Sequence, residues 1–342
     1  MNDVFAHILD QDRVIGEIGR AYAADRLPHG VIFAGPPGVG KATTAVALAK
    51  LFLAGDNPAY AARMIDAGTH PDFHLITKEL VRLTSKTSKA TTLSIDVIRE
   101  HLVGPAAHKT VTGAGKVFLI EEADLMQPAA QNALLKTLEE PAGRTLIVLL
   151  TPRPEDLLQT IRSRTQTFQF AALSDRTVFT QLKLKGVDPK TAELATRLAD
   201  GSLGTALRWA EDGVVEQARD LIAHLDGLLL GRPTADLGDW LKSAADAYAA
   251  KQLERDELAS KDFATRNGIN VYLRLAARHL RASLPATDDP ERLEAVCMAI
   301  DAVAACERYL DGNVNIALAL QQFGAAVARP FLVPSPSGRG LG

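Results

Sequence analysis

Up to about residue 170 the chain alternates short, continuously apolar runs with longer stretches in which apolar residues recur every three or four positions. GVIFAG (30–35), DFHLITK (72–78), KVFLIEE (116–122), RTLIVLLT (144–151) and TQTFQF (165–170) predict strands. Several are apolar without alternation, which marks strands covered on both faces, as in a parallel sheet between two helical layers. The segments between them, such as KATTAVALAKLFLAG, closed by Gly55, and PAAQNALLKTLEEP, opened by Pro128 and stopped at Pro141, predict helices. TKELVRLTSKTSKATTLSIDVIREHL begins polar, with SKTSK as a solvated loop, and ends in a short amphipathic helix. The lysines of SKTSK could also touch nucleic acid, but isolated lysines position phosphates without specificity. The pattern is that of an α/β domain.

From Ser174 onward no strand signal survives. A helical stretch over 173–213 predicts a small bundle, and long amphipathic runs continue to about Arg329, broken at GRP (231–233), LPATDDP (284–290) and DGN (311–313). The terminal PFLVPSPSGRGLG is rich in Pro, Ser and Gly and is expected to be disordered. The expected division is 1–172, 173–213, 214–330 and a tail over 331–342.

Composition narrows the class of function. With 342 residues, 47% hydrophobic and 23% charged, the chain is an ordinary globular protein of two or three domains, and a net charge of −3 excludes a broadly basic surface. No apolar run is long enough to span a membrane, and the start, MNDVFAHILDQDRVIGEIG, lacks the basic-then-apolar plan of a signal peptide, so a cytoplasmic protein is expected. Cys297 and Cys306 share one predicted helix at a separation beyond disulfide reach, and both are expected to be buried small hydrophobes. His70 and His74 in HPDFH are read as packing residues, and no zinc is expected.

The chemistry centres on GPPGVGKATT (35–44). Gly35, Gly38 and Gly40 allow backbone N–H groups to curl inward around phosphates, and Lys41 adds a mobile cation. A predicted strand precedes this run and a predicted helix follows it, the context a phosphate-binding loop requires. The bland reading is a tight strand-to-helix turn without a ligand. The residue after the lysine, which should carry a magnesium-binding hydroxyl, is Ala42. Thr43 is the next hydroxyl, but one helical step turns it by about 100° from the required direction. Glu121 and Glu122 end the third predicted strand, where a hydrolase commonly has an aspartate for magnesium and then a glutamate for water; solvated acids are the competing reading. TIRSRTQ (160–166) carries two arginines that are either surface charges or forks reaching across an interface to phosphate oxygens.

The series RLPHGVIFAGPPGVGKAT, HPDFHLI, FLIEEADLMQPAAQNALLKTLEEP and LLQTIRSRTQ resembles, in the same order, the clamp-loader family of the AAA+ class, of which the subunits of bacterial DNA polymerase III are members. The block AAQNALLKTLEEP is the most specific piece. The resemblance covers the first 213 residues and continues faintly in YLDGNVNIALALQQF, which looks like the last collar helix of that family. It implies an AAA+ parallel sheet with helices on both faces, a helical lid (173–213) and an all-α collar (214–330) that joins five subunits in an open ring. The implied partners are gamma/tau and delta subunits, the sliding clamp and primer-template DNA, and the implied cofactor is ATP or ADP. Lys41 then matches the phosphate-binding lysine, Glu122 the catalytic acid and Thr151 the sensor at a strand end. Arg164, in Ser163-Arg164-Thr165, matches the arginine that completes a neighbouring subunit's ATP site. Ala42, Glu121 and Gly204, the last where a lid arginine would stand in GSLGTAL, each depart from a self-sufficient ATPase. The resemblance therefore implies a stator-like member; an active motor subunit is the alternative, and a small-molecule P-loop kinase a more distant one. The family's four-cysteine zinc module has no counterpart in AGDNPAYAARMIDAGTHPD.

Overall fold

The computed structural model describes residues 2–84, 90–232, 236–284, 289–312 and 314–332. The chain divides into two units, Met1–Arg208 and Trp209–Gly342.

The first unit is built on β1 (Gly30–Ala34), β2 (Phe73–Ile76), β3 (Lys116–Ile120), β4 (Thr145–Thr151) and β5 (Gln166–Gln169), one inside each run predicted from sequence. They form one sheet in the order β2-β3-β4-β1-β5, and every pairing is parallel. Successive strand residues serve opposite layers. Val31, Phe33, Val117, Leu119 and Val148 enter one core, and Ile32, Phe118, Ile120, Ile147 and Leu149 the other. Both are buried, which explains why β1, the Val117–Ile120 part of β3 and the Leu146–Leu150 part of β4 are apolar.

Helices α1 (Asp12–Ala23), α2 (Lys41–Phe52) and α3 (Pro58–Asp66) contribute to the first core. Helix α3 lies in the stretch where the resembled family carries its zinc module; Asn57 caps it by accepting from the Tyr60 N–H at 3.1 Å, and Pro58 opens it. The other face is covered by α5 (Ile95–Ile98), α6 (Gly104–Ala107), α7 (Pro128–Glu139) and α8 (Gln159–Arg162), with α4 (Val81–Thr84) nearby in sequence. A π-helical turn over Arg99–Val103 joins α5 to α6, so the predicted short helix is a longer continuous one; Pro105, lacking an N–H, sits in its last turn. The predicted loop SKTSK (85–89) lies outside the described residues. Helices α9 (Asp175–Leu184), α10 (Pro189–Leu198) and α11 (Leu203–Glu211) follow, α9 and α10 capped by Ser174 and Asp188.

Lys116, at the start of β3, is 2% exposed. Its ammonium donates to the carbonyls of Pro105 (2.7 Å), Ala106 (3.1 Å) and His108, closing the carboxyl end of α6, and burial holds its pKa below the usual lysine value. Lys116→Met would strand three carbonyls, and we expect a loss of about 2 kcal/mol in urea unfolding. His70 is buried and accepts from the Asp72 N–H at 3.2 Å, while His74 stacks on Phe118 at 4.7 Å, both as packing residues.

The second unit contains α12 (Val214–Leu229), α13 (Leu237–Arg255), α14 (Lys261–Ser283), α15 (Pro290–Asp311) and α16 (Ile316–Leu332), packed as a helical bundle. Asp236, Ser260 and Asp289 cap α13, α14 and α15. Three breaks were expected within it; a fourth, over 256–260, has neither Gly nor Pro to announce it. Helix α16 passes through Pro330 to Leu332, two residues into the expected tail, and 333–342 lie outside the described residues. Cys306 is buried, with its thiol pushed up to about 11, but Cys297 is exposed, contrary to expectation. Nine residues along a helix are about two and a half turns, which puts the two on opposite faces. No helix among the described residues is long and apolar enough to cross a membrane.

Candidate functional site

The phosphate-loop sequence lies where β1 runs out, at the carboxyl edge of the parallel sheet, the edge at which such sheets place ligands. The Gly35 N–H donates to the Thr151 carbonyl at 3.2 Å, which ties the loop to the end of β4. Gly35, Gly38 and Gly40 have φ of 146°, 70° and 100°, backbone that side chains rarely tolerate. Lys41 opens α2 and is 8% exposed. Its ammonium is turned back onto the loop, donating to the carbonyls of Gly35 and Pro36, each at 2.5 Å. Burial lowers its pKa to about 8, with Asp124 opposing the shift. A cavity of about 570 Å³ opens beside it, lined by Pro37, Gly40, Ala42, Thr43, Glu121 and Thr151 among others. Thr43 is exposed at that cavity, and the buried Thr44 spends its hydroxyl on the Gly40 carbonyl at 2.9 Å.

The lysine has a consequence for pH. Between about 8 and the ordinary 10.5 the unfolded chain holds a proton on this group that the folded chain has lost, so Lys41 makes stability rise with pH across that window. We expect Lys41→Met to remove this rise, read by urea unfolding of both proteins at about pH 8 and about pH 10.

Glu121 and Glu122 follow β3 directly. Burial, reinforced by Glu122 and Glu79, raises the Glu121 pKa and disfavours its charge. Glu122 adopts φ of 48° and pairs with Lys78 at 2.7 Å. The acid that organises the site is a third one, Asp124, which sequence reasoning did not single out. Thr151 donates its hydroxyl to Asp124 at 3.1 Å and accepts from the Arg153 N–H at 2.9 Å, and the Arg153 guanidinium reaches Asp124 at 3.0 Å. The only sequence signal was its place in IEEAD, two residues beyond Glu122. These residues do not fit a magnesium triphosphate. Ala42 supplies no oxygen and Glu122 is paired with Lys78. A phosphate group alone could be held by Lys41 once it leaves the Gly35 and Pro36 carbonyls.

The loop is also clasped from the start of α11. Ser202 donates its hydroxyl to the Pro37 carbonyl at 2.6 Å and accepts from the Thr205 N–H, while the Gly204 N–H donates to the Gly38 carbonyl at 3.0 Å. A Cβ on Gly204 would stand 2.9 Å from the Gly38 Cα, and one on Gly38 would stand 2.5 Å from the Ser202 hydroxyl. Glycine at 204 thus permits backbone to touch backbone.

Arg164 is at the other end of the sheet. Val31 pairs with Gln166 and Ala34 with Gln169, so Arg164, just before β5, lies at the amino-terminal edge, whereas the phosphate loop follows Ala34 at the carboxyl edge. Four strand residues separate the two edges by roughly 13 Å. The guanidinium, 37% exposed, pairs with Glu139 at 2.6 Å and donates to the Thr160 carbonyl at 3.0 Å and the Ser163 hydroxyl at 3.4 Å. Gln131, 3% exposed on the same helix as Glu139, donates to the carbonyls of Met126 (3.0 Å) and Asp156 (3.3 Å) and accepts from the Leu158 N–H at 2.8 Å. Both residues lie in the block AAQNALLKTLEEP, yet their roles were not read from it. A signal was present: an acid at the last position of a helix opposes the helix dipole at a cost of about 0.3–1 kcal/mol unless a cation answers it.

The family described as "DNA polymerase III, delta subunit" matches residues 10–174. DNA polymerase III subunit delta' of Bacillus subtilis (strain 168) is 34% identical over 196 residues, 56% of this chain and 56% of that protein. The delta' subunit of Escherichia coli (strain K12) is 32% identical over 228 residues, 64% of each. The chain is thus similar over its first half to delta' subunits of DNA polymerase III. It spans 56% and 64% of the lengths of these two delta-prime relatives. The tau/gamma subunit of Haemophilus influenzae (strain ATCC 51907 / DSM 11121 / KW20 / Rd) is more distant in sequence, 28% identical over 270 residues, 76% of this chain and 38% of that protein. Within the matched residues 10–174 fall β1 to β5, the phosphate loop, the acids after β3 and Arg164.

Proposed function

We propose that this chain is a stator-like delta-prime subunit of a bacterial DNA polymerase III clamp loader, part of the holoenzyme that carries out DNA-directed DNA synthesis. It works in the cytoplasm in a five-membered ring with gamma/tau and delta subunits, helping to place the sliding clamp on primer-template DNA. In this reading 173–213 is the lid and 214–330 the collar through which the ring assembles. Arg164 is donated in trans to the ATP site of an adjoining subunit. The observation that carries the reading is the separation of the two sites: Arg164 occupies the sheet edge opposite the chain's own phosphate loop, so its guanidinium serves another chain or none.

The chain's own pocket is a degenerate ATP or ADP site. Gly35, Gly38, Gly40 and Lys41 keep the shape of a phosphate cradle, with Thr43 at its mouth, Glu122 in the position of the base and Thr151 in that of the sensor. The missing oxygen at Ala42 and the pairing of Glu122 with Lys78 leave magnesium poorly supported. The likeness to tau/gamma favours an active motor as the second reading, and these same losses weigh against it.

The test is co-purification of this chain with gamma/tau and delta, followed by clamp loading with and without it. A stable complex that loads the clamp only when the chain is present is expected; a chain that stays apart, or a complex indifferent to it, would refute the assignment.

A further inference from the structure

Resting on the proposed donation of Arg164, we infer that Glu139 is the positioning residue for that arginine: its carboxylate fixes the guanidinium at the amino-terminal edge of the sheet with donors left over for the phosphates of an adjoining chain's nucleoside triphosphate. A guanidinium has five N–H donors. The Nη2 end forms an ion pair with Glu139, and Nη1 donates to the Thr160 carbonyl and the Ser163 hydroxyl. Among the described residues, neither Nε–H nor the Nη2 hydrogens donate a hydrogen bond. The side chain is therefore held without being used up.

Stability does not account for this pair. With the arginine 37% and the glutamate 47% exposed, water screens the attraction, and such pairs add little to folding. The acid also sits at the carboxyl end of α7, where the helix field opposes it. Orientation is what remains. Helix α7 grips the segment 156–164 at two points: Gln131 holds Asp156 and Leu158, and Glu139, eight residues or about 12 Å further along the helix, holds Arg164. A side chain with four rotatable bonds is thereby aimed before the partner arrives, which lowers the ordering cost of reaching into a foreign site. Glu139 also withdraws some of the arginine's positive charge; the inference is that aim outweighs this.

The experiment uses the reconstituted complex containing the full chain, with ATP hydrolysis at the adjoining site followed under single-turnover conditions. Glu139→Gln should lower the rate constant on the order of tenfold, leaving KM for ATP, complex assembly and the melting temperature unchanged, because a misaimed charge costs part of what an arginine finger supplies. In an Arg164→Ala background the same change should have no further effect, and Glu139→Asp should recover part of the loss. An unchanged or faster rate for Glu139→Gln beside a slow Arg164→Ala would overturn the positioning role while leaving donation intact. So would a Glu139→Gln loss that persists without Arg164. A normal rate for Arg164→Ala would overturn both.

Discussion

Arg164→Ala should slow ATP hydrolysis at the adjoining subunit's site by about a thousandfold or more while leaving the complex assembled, since a trans arginine stabilises the charge that develops on the transferring phosphoryl group and such fingers are worth about 10³–10⁵ in rate. The side chain is half-exposed and held by surface contacts to Glu139, Thr160 and Ser163, so its removal leaves no buried group unsatisfied. The chain's own stability should stay within about 0.5 kcal/mol of the parent. Rapid-quench measurement on the reconstituted complex reads the rate and a thermal melt reads the fold. Arg164→Lys should rescue little, because an ammonium carries the charge but not the planar fork.

Gly204→Arg should destabilise the first unit by about 3 kcal/mol and should not produce an ATPase. By the family resemblance alone, this change would supply a lid arginine. In the structure, the new Cβ would stand 2.9 Å from the Gly38 Cα, and relieving that overlap breaks the hydrogen bond from Gly204 to the Gly38 carbonyl and disturbs the Ser202 contact with Pro37. The overlap is with backbone, so no side-chain adjustment relieves it. A lowered melting temperature with no magnesium-dependent turnover is the expected result. Turnover gained at undiminished stability would show that the clasp on the phosphate loop yields easily and that one residue separates this chain from a motor.

Much of this was legible in the sequence where the cause is local. Strands β1, β3 and β4 announce themselves because burial on both faces keeps their central residues apolar, and the phosphate loop because glycines at positive φ must be written into the chain. Other features depend on contacts between distant residues. Asp124 reads as one more acid until the fold brings Thr151 and Arg153 to it, and Glu139 as a helix-end oddity until Arg164 arrives. The break at Ser260 went unread because a serine cap donates no conformational restriction visible beyond its own side chain, unlike the Pro and Gly at the other breaks. Cys297 was misplaced because a nearly continuous apolar run hides which face of α15 is inward, until the burial of Val296, Ala299 and Val303 fixes it. The contact of Gly204 with Gly38 could not be read from the sequence at all.

In the proposed function this chain lends catalytic charge to a neighbour and does not hydrolyse ATP itself. Magnesium-dependent ATP turnover by the purified chain alone, beside its Lys41→Ala variant, tests it most directly. The account predicts the same background rate for both proteins. A turnover in the parent that Lys41→Ala abolishes would contradict it.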